Sequence, residues 1–270
     1  MINVYDDFSK LNEVILGDVN TYLLDTVDMK YRQQIEDIFL QTKDDLNSIQ
    51  TTLEGKGVKV HRPNIKKEFA KTITTPTWNE HGIRNCLSYL TNIEPIMDTA
   101  QLARFGSRLL VSTRGAGNRL GTEWIARTFE NFEVVRMDSC FSGHLDAQIK
   151  IIRPGLMISP YAREKHPDFM QKWDIIPTKI YNTAPEIIDD RFQDDDWDNT
   201  YFQTSMLSYD ENTVFVFEHY KKLFPMFIKD MESKGVECVF IPFRHQHWFS
   251  QGSTCLTCDI NRSGGMEVYD

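Results

Sequence analysis

Long apolar runs and an excess of positive charge are both missing from this 270-residue chain. No apolar run approaches the roughly 20 residues that a membrane-spanning helix needs. The formal net charge is -9, which argues against a nucleic acid or an anionic membrane as a partner, because both require a basic surface. The same charge is compatible with a small cationic substrate.

Cysteine is also scarce, with five residues in the chain. An odd number at this density does not suggest a disulfide framework and favours a reducing compartment. The first residues show neither an apolar signal core nor an arginine-rich transit segment, so we expect a cytoplasmic location. Cys255 and Cys258 form a Cys-x-x-Cys pair, but no second pair and no His-x-x-x-His completes a zinc tetrahedron. We therefore predict no metal and no other cofactor.

Length and composition are those of an ordinary globular protein. The chain is 41% hydrophobic and 26% charged, which does not indicate disorder. At this length it can bury a substantial core. We predict a single domain over residues 1–270.

The order helix, glycine or polar turn, then strand occurs three times. A periodic apolar stripe predicts each helix, and a short apolar run predicts each strand. Strand-rich pieces with hairpin character lie between these units. Repeated β-β-α-β units with functional residues at strand ends predict an α/β fold around a central cleft. The helix and strand pairs are 30–54 with 58–60, 124–129 with 132–137, and 220–234 with 238–242; the hairpins are 144–152 with 156–159, and 201–209 with 213–217.

Cys255 is the candidate nucleophile. It follows a Gly-Ser-Thr turn and opens an apolar, β-branched stretch, so the sequence predicts a strand with Cys255 at its start. A free cysteine has a pKa of roughly 8.5, and a histidine or a cationic substrate is needed to make the reactive thiolate. His144 is the candidate histidine. On the residues alone, an inert buried cysteine remains the alternative.

Four motifs then follow in order between Glu94 and the C-terminal region: Glu94 to Ala100, Asn118 to Trp124, His144 to Ala147 with Pro154-Gly155, and Cys255 to Asp259. Together they resemble the amidinotransferases, in particular the arginine:glycine type, within the guanidine-modifying pentein superfamily. The resemblance implies a pentein-type α/β propeller, with pseudo-fivefold β-β-α-β repeats around a central cleft. One repeat is expected to be truncated, because residues 83–90 run almost directly into Glu94 without the family's helix.

The resemblance also implies roles for individual residues. Cys255 would attack the guanidinium carbon, and His144 would be the general acid and base. Asp98 would orient His144, and Asp146 would hold the guanidinium by charge-assisted hydrogen bonds. Arg163 lies where the family has an arginine for the carboxylate of the donor.

Three substrate-binding positions depart from the family pattern. Asn85 replaces an aspartate that would be the second carboxylate for the guanidinium. Asp198 and Asn199 stand where the family has paired serines. Donor and acceptor can therefore differ from arginine and glycine.

The expected activity is transfer of an amidino group from L-arginine, or a similar guanidine, to a small primary amine such as glycine, releasing ornithine. Two alternatives remain open. One is a hydrolase of the same superfamily resembling arginine deiminase, in which water resolves the cysteine adduct. The other is a guanidine-binding protein without activity. The expected partners are small molecules, and a homodimer is possible.

Overall fold

A computed structural model of the protein describes residues 2–19, 29–63, 95, 97–112, 118–137, 144–178, 204–246 and 252–269. Within these residues the chain forms twelve strands and four α-helices. The strands are β1 Leu11–Leu16, β2 Lys59–His61, β3 Leu102–Phe105, β4 Arg108–Val111, β5 Glu133–Arg136, β6 Lys150–Arg153, β7 Leu156–Ser159, β8 Asp174–Pro177, β9 Leu207–Asp210, β10 Thr213–Phe217, β11 Glu237–Ile241 and β12 Thr257–Arg262. The helices are α1 Met29–Gly55, α2 Arg119–Thr128, α3 Tyr220–Leu223 and α4 Pro225–Ser233.

The described strands form four three-stranded sheets with one common plan. Their orders are β12-β1-β2, β3-β4-β5, β6-β7-β8 and β9-β10-β11. In each sheet the first pair is antiparallel and the second pair is parallel. A parallel pair needs a crossover connection, so three of the sheets are continuous β-β-crossover-β units, and the first has the same plan with β12 supplied from the C-terminal part of the chain. This repeated plan confirms the α/β repeats expected from the sequence.

The first sheet joins the two ends of the described chain. β1 pairs with β12 in antiparallel register, with Leu16 opposite Thr257 and Ile15 opposite Cys258. It pairs on its other side with β2 in parallel register. The loop before β12 is consequently held beside the C-terminal end of β1, where the Gly17 amide donates to the Leu256 carbonyl at 2.8 Å.

Helix α1 illustrates how the apolar pattern produces the fold. Its buried side chains include Ile38, Leu46, Ile49 and Leu53, whose spacing places them on one face. This face packs into the larger core cluster with strands β1, β9, β10 and β11. Gly57 follows the helix with φ +83°, a conformation that glycine adopts without strain. The predicted helix and its glycine stop are confirmed.

The crossovers differ in length among the four units. Between β7 and β8 the chain forms two short 3-10 turns, Arg163–Lys165 and Asp168–Met170, in place of an α-helix. The truncated repeat that the sequence predicted around residues 83–94 lies outside the described residues. The four described units do not close a ring by themselves.

Two predicted elements were wrong in detail. The helix predicted over 220–234 is interrupted at Phe224, whose φ and ψ are -131° and 50°, because Pro225 disfavours a helical conformation in the residue before it. The strand predicted over 144–152 begins only at Lys150. The segment before it is folded into turns by amides of Gln148 and Ile149, which donate to the Leu145 carbonyl at 3.0 Å each.

Candidate active site

Asp98 and His144 form a pair on two neighbouring loops. Asp98 caps the 3-10 turn Thr99–Gln101, where its Oδ1 accepts a hydrogen bond from the Ala100 amide at 3.0 Å. The other carboxylate oxygen, Oδ2, lies 3.3 Å from Nε2 of His144. Both side chains are partly exposed, at 37% and 51%. The cap fixes the carboxylate, so Asp98 can orient the imidazole of His144.

His144 and Asp146 lie on one tight turn that is fastened to the Asp98 loop. The amides of Leu145 and Asp146 both donate to the Ala100 carbonyl, at 2.8 Å and 3.3 Å. Leu145 between them is fully buried in the second core cluster. The buried leucine holds the two polar neighbours in place on the same loop.

Cys255 lies in the turn that precedes β12; the sequence predicted a strand beginning at Cys255, but the strand begins two residues later, at Thr257. Its amide donates to the Gly252 carbonyl at 3.1 Å, and the Thr257 amide donates to the Thr254 carbonyl at 3.1 Å. The thiol is a free cysteine on an exposed residue. A thiol in such a turn is accessible to a small molecule.

The segment before β9 supports the Cys255 turn. The Ser253 amide donates to the Ser205 carbonyl at 3.0 Å, and Ser253 Oγ accepts from the Leu207 amide at 2.8 Å. Gly252 packs so closely that an added Cβ would lie 2.0 Å from Ser205 Oγ. Ser205 Oγ also lies 3.7 Å from the Cys255 sulfur. Sequence analysis missed Ser205, because a serine ahead of a strand carries no distinctive pattern.

Electrostatics connect Asp146 to both other candidate residues. Burial raises the pKa of Asp146, while the charge of His144 opposes this rise. Desolvation by the surrounding protein also raises the pKa of the accessible Cys255 thiol; the Asp146 charge adds to this rise, and hydrogen bonds from the Gly252 segment and Ser205 oppose it. Without a bound cation the thiol is therefore held in its protonated form. The charge of Asp146 therefore interacts with that of His144 and disfavours the thiolate of Cys255.

Behind Asp146 lies a group of paired charges, here called the central charge cluster: Asp7, Arg104, Lys150, Asp259 and Arg262. Arg104 contacts Asp7 at 2.8 Å and Asp259 at 4.0 Å. Arg262, which is fully buried, contacts Asp259 at 2.6 Å and donates to the Ser208 carbonyl at 2.9 Å. These residues are spread from one end of the chain to the other, and the sequence analysis did not find them.

The remaining predicted site residues are placed as follows. Arg163 is exposed on the β7–β8 crossover, where its Nη1 donates to the Gln171 carbonyl at 3.1 Å. Its charge also lowers the pKa of Asp174 on β8, after the larger effect of Lys234. Its role as a ligand for a substrate carboxylate stays a prediction. Asn85, Asp198 and Asn199 lie outside the described residues.

The arrangement provides the groups that guanidine chemistry needs. Asp146 can accept hydrogen bonds from a planar cation, Cys255 can supply a nucleophile, and the Asp98–His144 pair can move a proton. In the part of the chain that the structure describes, no three of the His, Cys, Asp and Glu side chains are grouped to hold a metal ion. None of the described helices is long and apolar enough to cross a membrane.

Comparison with solved structures establishes the fold. The amidinotransferase SxtG from Microseira wollei and the inosamine-phosphate amidinotransferase StrB1 from Streptomyces griseus each superpose with a TM-score of 0.74, at 19% and 21% identity, over 100% of this chain and 99% of theirs. A dimethylarginine dimethylaminohydrolase superposes with a TM-score of 0.58, at 11% identity, over 92% of this chain and 99% of its own. The chain therefore has the fold of the pentein superfamily.

Sequence comparison narrows the relationship. The inosamine-phosphate amidinotransferase 1 of Streptomyces glaucescens and the L-arginine:L-lysine amidinotransferase of Pseudomonas savastanoi pv. phaseolicola are each 28% identical over 186 residues, or 67% of this chain and 51% and 48% of theirs. The mitochondrial glycine amidinotransferase of Gallus gallus is 28% identical over 66% of this chain and 42% of its own. The chain is thus similar in sequence to proteins named amidinotransferases.

These sequence matches cover a larger share of this chain than of the relatives. The chain spans about half the length of the Streptomyces glaucescens and Pseudomonas savastanoi relatives. No protein-family model matches the chain.

Proposed function

We propose that the protein is an amidinotransferase that transfers the amidino group of a guanidine donor, through a covalent amidino-cysteine at Cys255, to a small primary amine. The observation that carries this proposal is the position of Asp146, whose carboxylate interacts with the Cys255 thiol and with His144. The Asp98–His144 pair lies on the same pair of loops. Relationship to named amidinotransferases supports the same reaction class.

Donor binding and activation of the nucleophile follow from the same electrostatics. In the empty site, burial and the Asp146 charge both favour the neutral thiol. A guanidinium bound to Asp146 offsets that negative charge and places a positive charge beside the sulfur, which favours the thiolate. The donor itself thus activates Cys255, because the thiolate is favoured only while a guanidinium is bound to Asp146.

The transfer then proceeds in two balanced halves. The thiolate attacks the guanidinium carbon and forms a carbon–sulfur bond; His144 gives a proton to the departing nitrogen, and the carbon–nitrogen bond breaks. The donor leaves as an amine and the amidino group stays on sulfur. In the second half His144 takes a proton from the acceptor amine, the amine nitrogen attacks the same carbon, and the carbon–sulfur bond breaks to regenerate the thiolate.

For the substrates we propose L-arginine as donor, with ornithine as the product left behind, and glycine as one member of the class of small primary amines that act as acceptors. A relative named L-arginine:L-lysine amidinotransferase supports arginine. The relatives differ in the acceptors that their names indicate, inosamine-phosphate, lysine and glycine. The acceptor is therefore best determined with a panel of amines.

Hydrolysis is the second candidate, because the same fold is shared by a dimethylarginine dimethylaminohydrolase and an agmatine deiminase, with TM-scores of 0.58 and 0.54. In that case water would resolve the adduct on Cys255. The two activities give different products from arginine. Ornithine together with a new guanidino compound reports transfer, and citrulline with ammonia reports hydrolysis.

The test is mass spectrometry of products from the purified protein, with arginine alone and with arginine plus glycine or other amines. We expect ornithine and a guanidino product only when an amine is present. Cys255→Ala should abolish turnover, whereas Cys258→Ser, an exposed cysteine on β12, is the matched control and should retain it. Citrulline without an amine would replace transfer by hydrolysis. Turnover by Cys255→Ala would show that Cys255 is not the nucleophile. The absence of any product or covalent adduct would favour a guanidine-binding protein without activity.

A further inference from the structure

Lys150 is a buried cation on the strand that follows the turn of Asp146. It is the first residue of β6 and only 5% exposed, four positions after Asp146 on the turn that enters the strand. Among the described residues its ammonium has one hydrogen bond, to the Asp7 carbonyl at 3.4 Å, which is long for such a bond. A buried ammonium normally has closer partners, so hydrogen bonds to the described residues contribute little to holding the proton on Lys150.

The charges that face Lys150 come from three parts of the fold. Asp7 is in the N-terminal segment, Asp146 on the turn before β6, and Asp259 and Arg262 on β12; all four interact with its charge. Arg104 on β3 is paired with Asp7 behind them. Three carboxylates thus meet three cations, counting Lys150. The numbers of positive and negative charges are equal only while Asp146 is ionised and no further cation is bound.

We propose that Lys150 is a positioning residue for Asp146 and that it releases its proton to solvent when a guanidinium cation binds to Asp146. The inference rests on the proposed function, since it requires a cationic donor at that carboxylate. Without a bound donor, the charge of protonated Lys150 favours the ionised form of Asp146. A bound guanidinium takes over this role, and loss of the proton restores the balance of charge.

The proton of Lys150 is available near neutral pH. Burial lowers the pKa of Lys150 to about 8, against the opposing pull of Asp7. Another positive charge nearby lowers the pKa further. Binding and proton release are then linked, so the affinity for a cationic donor rises as the pH increases from 7 toward 8. A neutral ligand of the same shape releases no proton and has no such dependence.

The first measurement is calorimetric titration of the Cys255→Ala protein, which cannot turn over and has no thiol proton at position 255. Arginine, agmatine and citrulline are titrated at pH 7.5 in two buffers with different heats of ionisation. Citrulline is the matched neutral ligand, because a urea oxygen replaces one guanidinium nitrogen. We expect release of between zero and one proton per arginine or agmatine bound, and none per citrulline.

Substitutions then identify the source of the proton. In the Cys255→Ala background, Lys150→Met and Lys150→Arg should both abolish the release, since neither side chain titrates in this range. Their effects on affinity should be opposite. Lys150→Met should bind arginine about tenfold more tightly at pH 7, the factor needed to deprotonate a group with a pKa of about 8, and Lys150→Arg should bind it more weakly. A purely structural role would weaken binding in both variants.

The matched control is His144→Gln in the same background, which should retain the release. Loss of the release in His144→Gln, or equal release with citrulline, would overturn the assignment to Lys150. Binding of arginine without proton release would also overturn it, while leaving the proposed function intact. Failure of arginine, agmatine and guanidinium chloride all to bind would instead reject the proposed donor class, and this inference with it.

Discussion

At the scale of single residues, Asp146 favours binding of the donor but lowers the reactivity of the Cys255 thiol when no donor is bound. Its carboxylate provides the binding charge for a guanidinium, and in the empty site the same charge raises the pKa of the Cys255 thiol. Substrate binding and protection of the nucleophile are consequently properties of one side chain. Removing the charge of Asp146 should therefore weaken substrate binding and, at the same time, make the Cys255 thiol more reactive.

We expect Asp146→Asn to make Cys255 more reactive while weakening guanidine binding. The pKa of the thiol should fall when the negative charge is removed, so alkylation by iodoacetamide at pH 7 to 8 should be faster. Tandem mass spectrometry that distinguishes Cys255 from Cys258 gives the rate. Asp44→Asn, an exposed aspartate on α1, is the control and should not change it. Slower alkylation in Asp146→Asn would contradict the electrostatic role.

Arg163 gives a second prediction at this scale. If its guanidinium pairs with the carboxylate of the donor, Arg163→Ala should raise KM for arginine by roughly tenfold or more, as expected from loss of a charged hydrogen bond of about 1.5–3 kcal/mol. KM for agmatine, which has no carboxylate, should change little. Steady-state kinetics with both donors measures the difference. Equal changes would restrict Arg163 to the contact with Gln171 seen on the β7–β8 crossover.

At the scale of elements, the Cys255 turn depends on close packing against the segment before β9. Gly252 approaches Ser205 so closely that any side chain must displace one of the two segments. The geometry of the nucleophile is therefore set partly by residues about fifty positions earlier in the chain. A substitution at Gly252 tests this support without changing any reactive group.

Gly252→Ala should move the Cys255 turn and strongly reduce turnover, with a loss of stability of about 1–3 kcal/mol from overpacking. Gly265→Ala is the control, because a Cβ there meets nothing within 4 Å. Turnover and urea denaturation of the two variants give the comparison. Full activity in Gly252→Ala would show that the turn tolerates displacement.

The sequence predicts those features that depend on residues close together in the chain, and it does not predict those that depend on residues far apart in the chain. The apolar stripe of α1 and its terminal glycine are local patterns, and both are confirmed. Asp98, His144, Asp146 and Cys255 could be proposed as site residues because each lies in a short motif. Ser205, Lys150 and the other residues of the central charge cluster were missed, since their partners are brought together only by the folded sheets. The break at Phe224 was missed because apolar periodicity continues across Pro225.

At the scale of the whole molecule, the central charge cluster joins the N-terminal segment to β3 and β12. Burial alone would raise the pKa of Asp7, but the charges of Arg104, Lys150 and Arg262 lower it overall. A carboxyl group whose pKa is lower in the folded protein stabilises it above the ordinary aspartate value of about 3.9, and this contribution is lost as the pH falls through the folded pKa. The cluster should therefore contribute to stability at neutral pH.

Asp7→Asn should lower the free energy of unfolding at pH 7 by about 1.5–3 kcal/mol, the usual value for a hydrogen bond to a charged group. The difference from the unmodified protein should shrink as the pH is lowered from 5 toward 3. Urea denaturation over this pH series measures it. Asp44→Asn should stay within about 0.5 kcal/mol, as exposed substitutions do. A penalty that does not depend on pH would show that the charge of Asp7 is not the source of its effect.

The pairing of β1 with β12 has a consequence for synthesis of the protein. Leu16 and Thr257 are partners across the antiparallel pair, so the sheet that positions the Cys255 turn contains strands made at very different times on the ribosome. Contacts between such distant residues form late and slowly, because the intervening chain must first be ordered. A nascent chain can complete its middle units, yet it has no reactive centre until β12 has emerged and joined β1. Incomplete chains therefore lack the proposed active site.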